Sequence, residues 1–171
     1  MKIMLGLVPR PWIVDDAKDD GYTALHLAAL NNHAEVAALL LAAGARADLQ
    51  NANLQTALHL AVERQHSQVV RLLVAHGADL DVCDKDGDTP LHEALRHHTL
   101  QQLRRLQERA PLLSGLAAGG GDKKSSASIA CFLAAHGADL QARNKKGNKT
   151  TDFVNYEYVS SKLSKLIYLG F

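Results

Sequence analysis

A six-residue phrase returns at a fixed interval in this chain, and that interval restricts the fold more than any other feature. Thr23-Ala24-Leu25-His26-Leu27-Ala28 reappears as Thr56-Ala57-Leu58-His59-Leu60-Ala61 and again as Thr89-Pro90-Leu91-His92-Glu93-Ala94, each copy 33 residues after the last. A second phrase keeps step with it: Gly44-Ala45, then His76-Gly77-Ala78-Asp79-Leu80, then His136-Gly137-Ala138-Asp139-Leu140. A period of this length marks an array of similar supersecondary units, because one unit cannot bury its apolar face alone and must stack on its neighbours.

Each position in the phrase has a physical reading. The Thr stands where a helix N-cap belongs, with its hydroxyl placed to accept from an orphan amide of the first turn. The first helical residue is Ala24, Ala57 or Pro90, and proline is tolerated there because its missing N–H has no partner to lose. Leu25, Ala28 and Ala29 then fall at i, i+3 and i+4, as do Leu58, Ala61 and Val62, and Leu91, Ala94 and Leu95. A second helix in each unit repeats the spacing with Val36, Leu39 and Leu40, with Val69, Leu72 and Leu73, and with Ile129, Phe132 and Leu133. Gly44, Gly77 and Gly137 follow those helices, where a left-handed residue costs a glycine least.

The 33-residue unit, the T-A/P-L-H-x-A box and the later G-A-D-L resemble the ankyrin family over about three-quarters of the chain. The resemblance implies an all-α solenoid of helix–turn–helix units with projecting β-turn fingers. Local departures occur. The finger Gly two residues before the Thr is present as Gly21 and Gly87 but is Leu54 in the second copy, where neighbouring Asn53 is expected to take the left-handed conformation. Asn32, Gln65 and His98 stand where the family places a Gly after the first helix.

The array is interrupted once. Gly77 and Gly137 are 60 residues apart, 27 more than one period, and the excess lies between the two helices of the third unit, at about 99–125. Leu95, Leu100, Leu103 and Leu106 among Arg104, Arg105 and Glu108 predict a first helix prolonged to about Arg109 and stopped by Pro111. Gly119-Gly120-Gly121-Asp122-Lys123-Lys124-Ser125-Ser126 reads as a loop, either a tolerated surface insertion or a partner-binding, phosphorylation-sensitive segment. The expected organisation is a lead-in over 1–18, repeats over 19–51, 52–84 and 85–144, and a degenerate fourth repeat or divergent tail over 145–171. Both ends are abrupt, as expected of a piece of a longer array or of a product with an alternative C-terminus.

Composition narrows function by exclusion. With 19 Lys plus Arg against 18 Asp plus Glu, there is no net field to gather nucleic acid or an anionic membrane. Cys83 and Cys131 are too few for a disulfide framework or a zinc ribbon. The apolar start, Met1 to Val8, is short and runs into Pro9-Arg10-Pro11 without a small-x-small cleavage site, so a cytoplasmic location is expected. His26, His59 and His92 belong to the repeat and are expected to hydrogen-bond around the finger turn. His97 and His98 point apart on a helix and have no ligand set to join. Gly119-Gly120-Gly121 lacks phosphate-loop spacing, and no Ser or Cys stands in a nucleophile setting. No catalytic residue, metal or cofactor is expected.

Several stretches resemble a narrower group. Asp19 to Thr23 continuing to His33, Gln55 to His66 (QTALHLAVERQH), Asp84 to His98, and the resumption at Ala127 to Ala134 are similar to the Mind bomb group of RING-type E3 ubiquitin ligases. This resemblance implies an ankyrin scaffold from a ligase that ubiquitinates Notch-ligand tails and promotes their endocytosis, with substrate-binding modules before the array and RING fingers after it. The alternative is a free-standing small ankyrin adaptor or inhibitor. Family geometry places the partner at the finger tips and the exposed flank of the first helices. That selects Tyr22, Asn31, Asn32, Asn51, Asn53, Gln55, Glu63, Arg64, Lys85, Asp86, Asp88, Arg96 and His97 as the candidate surface for a protein partner.

Overall fold

Every threonine box starts a helix. In the computed structural model, which describes residues 14–109 and 125–153, six helices follow in pairs: α1 (Ala24–Leu30), α2 (Ala34–Ala42), α3 (Ala57–Glu63), α4 (Ser67–Ala75), α5 (Pro90–Arg109) and α6 (Ser125–Ala135). A 3-10 turn, Thr150–Phe153, packs on α5. Gly119 to Lys124 of the predicted loop, Pro111, the first 13 residues and the tail after 153 lie outside the described residues, and the last two residues predicted as loop, Ser125 and Ser126, instead open α6.

The caps are reciprocal. Thr23 and Thr56 accept from the amides of His26 and His59, and each imidazole accepts from the Thr backbone N–H in return. Histidine thereby does what Glu or Gln does in the usual capping box. Pro90 is the first residue of α5, as its missing N–H predicts.

The first helices form one layer and the second helices another, with α1, α3 and α5 touching in series and α2, α4 and α6 behind them. All nine predicted inward positions of the first helices are buried, and alanines at four of them let the helices approach closely. In the second helices the buried stripe is displaced. Ala37 and Leu40, Val69, Val70 and Leu73, and Ile129, Ala130 and Leu133 are buried, while Leu39, Leu72 and Phe132 are only half-buried. The reason is that an outer-layer helix has two neighbours, its own partner and the next outer helix, so adjacent residues such as Val69 and Val70 both find cover.

Three ladders of hydrogen bonds register one unit on the next. In the first, His26 meets the Gln55 carbonyl, His59 that of Asp88 and His92 that of Asn148, over separations of 29, 29 and 56 residues. In the second, Asp15, Asp48 and Asp81 accept from the amides of Arg46, Asp79 and Asp139, over 31, 31 and 58. The third joins the fingers: Ala52, Lys85 and Lys145 donate to the carbonyls of Asp20, Asn53 and Asp86. Both long separations exceed the regular step by 27, the length of the interruption (56 against 29, 58 against 31). The insertion therefore leaves the stack at the third unit and returns to it in register. Prolongation of α5 to Arg109 is its first part, and a helix of 20 residues rises about 30 Å.

One expectation about the fingers is corrected. Left-handed backbone in the second finger falls on Leu54 (φ 59°), and Asn53 is not left-handed. The turn decides this: Leu54 donates to the Asn51 carbonyl, as Gly21 does to Lys18 and Gly87 to Asp84, and the residue closing that turn must swing to positive φ whatever its side chain. For a bulky residue this conformation costs about 1–2 kcal/mol. Asn32 (φ 59°) and Gln65 (φ 60°) do take over the glycine position after the first helix. His98 does not, because α5 runs on through it.

Candidate protein-interaction surface

Each finger is a short turn whose base is also tied by a backbone hydrogen bond, from Lys18 to Tyr22, Asn51 to Gln55, Asp84 to Asp88 and Asn144 to Asn148, at 2.9–3.0 Å. The opening residue of the last three fingers braces its own turn. Asn51 Oδ1 accepts from the amides of Asn53 and Gln55, Asp84 Oδ1 from Asp86 and Asp88, and Asn144 Oδ1 from Lys146 and Asn148. Asn and Asp suit this position because their short side chains reach the amides two and four residues on.

Under the fingers lie the histidines. The backbone N–H of Thr56 points at His59 Nδ1 (3.2 Å), and an amide can only donate, so Nδ1 carries no proton and Nε2–H donates to the Asp88 carbonyl (3.0 Å). His26 is held the same way between Thr23 and Gln55. Burial pushes the pKa of both rings below the ordinary histidine value, against the opposing pull of the carbonyls and of nearby Asp20 or Asp84. These are structural histidines.

The expected partner surface divides when placed on the structure. Asn31, Asn32, Arg64, Lys85 and Asp86 are exposed, and Tyr22, Asn53, Gln55, Glu63, Arg96 and His97 are half-buried. Asn51 and Asp88, each 3% exposed, are not available to a partner. The physical reason is that both side chains turn inward to backbone amides or to the next finger. Asp88 sits at the centre of a polar network. It accepts from Asn144 of the fourth finger (2.8 Å) and from Arg96, which also pairs with Glu93, and Glu93 in turn meets His97 (3.1 Å). Burial opposes ionisation of Asp88, but the hydrogen bonds from Arg96 and Asn144 outweigh it and hold its pKa below the usual carboxylate range. The bond from His97 does the same for Glu93. In the second unit, Gln55 links Asn51 to Glu63. Gln55, Glu63, Arg96 and His97 are thus each held by side-chain hydrogen bonds.

Three features escaped the sequence reading. Asp15, Asp48 and Asp81 stand 33 residues apart and tie unit to unit, so the repeat pattern reaches back into the lead-in, where Val14 is also buried in the core. The spacing alone would have found them. Asn144 pairs across fingers with Asp88, which no local pattern announces. Leu54, at 46% exposure, is the exposed large apolar side chain of the described residues. Cys83 is exposed, but burial of part of the thiol and the carboxylates of Asp84 and Asp81 raise its pKa, which keeps it a poor nucleophile. Cys131 is half-buried on α6. Among the described residues no helix is long and apolar enough to cross a membrane.

Paired helices, histidine-closed caps and zipped fingers together define an ankyrin stack, a fold that implies protein–protein interaction. The ankyrin-repeat family matches residues 20–52 as a single repeat and residues 39–111 as a three-copy array, and the chain belongs to that family. Within it, the sequence is 65% identical over 156 residues, 89% of this chain, to the E3 ubiquitin-protein ligase mind-bomb of Drosophila melanogaster. The chain spans 13% of that relative's length. It is a Mind bomb-like ankyrin region.

Proposed function

We propose that this chain is the protein-docking scaffold of a Mind bomb-like RING-type E3 ubiquitin ligase, working in the cytoplasm on Notch ligands and their endocytosis. The observation that carries the reading is the 65% identity to the fly ligase, which extends through the interrupted third repeat and so covers more than the generic ankyrin pattern. On this reading the ligase chemistry resides in other parts of the parent protein. This segment contributes a rigid surface made of the exposed fingers and the flanks of α1, α3 and α5. Its rigidity follows from the three inter-unit ladders, which leave few internal degrees of freedom to lose on binding.

An antibody raised to residues 19–146 would test this on native tissue. A band far above 18.5 kDa that also yields RING-domain peptides by mass spectrometry is the expected result. A dominant band near 18.5 kDa would overturn it and make the chain a free-standing adaptor.

A further inference from the structure

The finger tips form one continuous ridge, because each is hydrogen-bonded through its backbone to the next: Asp20 to Ala52, Asn53 to Lys85, Asp86 to Lys145. Their side chains are ordered along it. The first tip exposes Lys18, Asp19 and Asp20, one net negative charge, and the fourth exposes Lys145 and Lys146, flanked by Arg143. Between them the third tip balances Lys85 against Asp86, and the second carries no charge. Charge therefore grades from acidic to basic along the ridge, although the chain as a whole is close to neutral.

Leu54 stands in the middle of this gradient. The other three fingers close with Gly21, Gly87 and Gly147 at φ of 77–78°, and only the second closes with a side-chain-bearing residue, Leu54. A left-handed bulky residue is a conformational outlier, and here it is also turned 46% to solvent. The Gln50 side chain holds it there: its Nε2 donates to the Leu54 carbonyl (2.8 Å) and to the carbonyl of Cys83, just before the next finger (3.1 Å). Strain that the surrounding structure over-determines points to use, and an exposed apolar group gains when covered. Both unfavourable features coincide at the point where a segment lying along the ridge would cross.

We propose that the finger ridge binds an extended segment of a partner protein whose own charge is graded, with basic residues against the first finger, an apolar side chain on Leu54, and acidic residues against the fourth. This rests on the protein-docking reading and adds the partner's chemistry to it. A segment that is acidic throughout would meet Asp19 and Asp20, and one basic throughout would meet Lys145 and Lys146, so the gradient selects against both.

Fluorescence anisotropy of the full chain with three labelled peptides of about 16 residues, roughly 50 Å extended, would test it. One peptide is graded with a central Leu, one uniformly acidic and one uniformly basic. The graded peptide should bind about tenfold more tightly than either other, with affinity falling as salt rises. Lys145→Glu with Lys146→Glu should abolish that preference. Leu54→Gly should weaken the graded peptide about tenfold while raising the thermal midpoint, since it removes the contact and the strain together. A purely structural Leu54 would leave affinity unchanged when the midpoint rises. Equal binding of graded and uniform peptides, no binding of any, or unchanged affinity in Leu54→Gly would each overturn the proposal. None of these outcomes bears on whether the native product is a ligase, which the immunoblot decides separately.

Discussion

Mild acid should loosen this stack before it affects any carboxylate. His26 and His59, 1% and 2% exposed, are held in the neutral form with Nδ1 accepting from a Thr amide. Protonating Nδ1 would set two donors against each other in a buried site. Burial holds both rings at a folded pKa below the unfolded reference of 6.5. Above pH 6.5 neither state binds the proton and stability is at its full value. As pH falls below 6.5 the unfolded chain takes up protons that the native chain refuses, and stability declines until the folded pKa is reached. Between pH 7.5 and 5.5 one such group loses at most about 1.4 kcal/mol, and the pair about 2.7. That is a sizeable part of the roughly 5–15 kcal/mol typical of a domain. Urea titrations followed by far-UV circular dichroism at pH 7.5, 6.5 and 5.5 would measure it. Histidine-ring nitrogen spectra followed through this range should show both folded rings keeping the neutral Nε2–H form to lower pH than a free histidine. A flat stability over this range, or ring spectra showing both charged in the folded protein, would refute the tautomer argument. Asp88 and Glu93, with pKa values held below 3.8 and 4.5, should add a second loss only at pH below about 4.5.

Other expectations follow from the packing. Leu73→Ala, at a fully buried position in the central unit, should cost about 2–5 kcal/mol in a urea titration. Arg96→Ala should cost about 1–2 kcal/mol, discounted for the partial exposure of the guanidinium, because it leaves the buried Asp88 carboxylate with Asn144 as its remaining side-chain donor. In a double-mutant cycle, Arg96→Ala and Asn144→Ala should be non-additive, since both act on one carboxylate. Deleting 99–125 restores the regular interval, and the variant should keep a cooperative transition with stability changed by about 1 kcal/mol or less. Loss of cooperative unfolding in that variant would mean that the insertion helps to hold the third unit.

Sequence alone determined the array. A period of 33 residues, the Thr cap and the apolar spacing of the first helices are all local or periodic, and each reappeared in the structure. Such features are legible because hydrogen-bonded caps and helix faces depend on residues only a few positions apart. The tertiary structure decided what depends on neighbouring units. It moved the buried stripe of the outer helices to Val69, Val70 and Leu73, because those helices are covered from two sides. It placed left-handed backbone on Leu54, because turn closure outweighs residue preference. It withdrew Asn51 and Asp88 from the partner surface, because Asn51 is used within its own turn and Asp88 meets Asn144 across a separation of 56 residues. A period shows which residues are equivalent, but which of them face a partner depends on contacts between units that no single repeat contains.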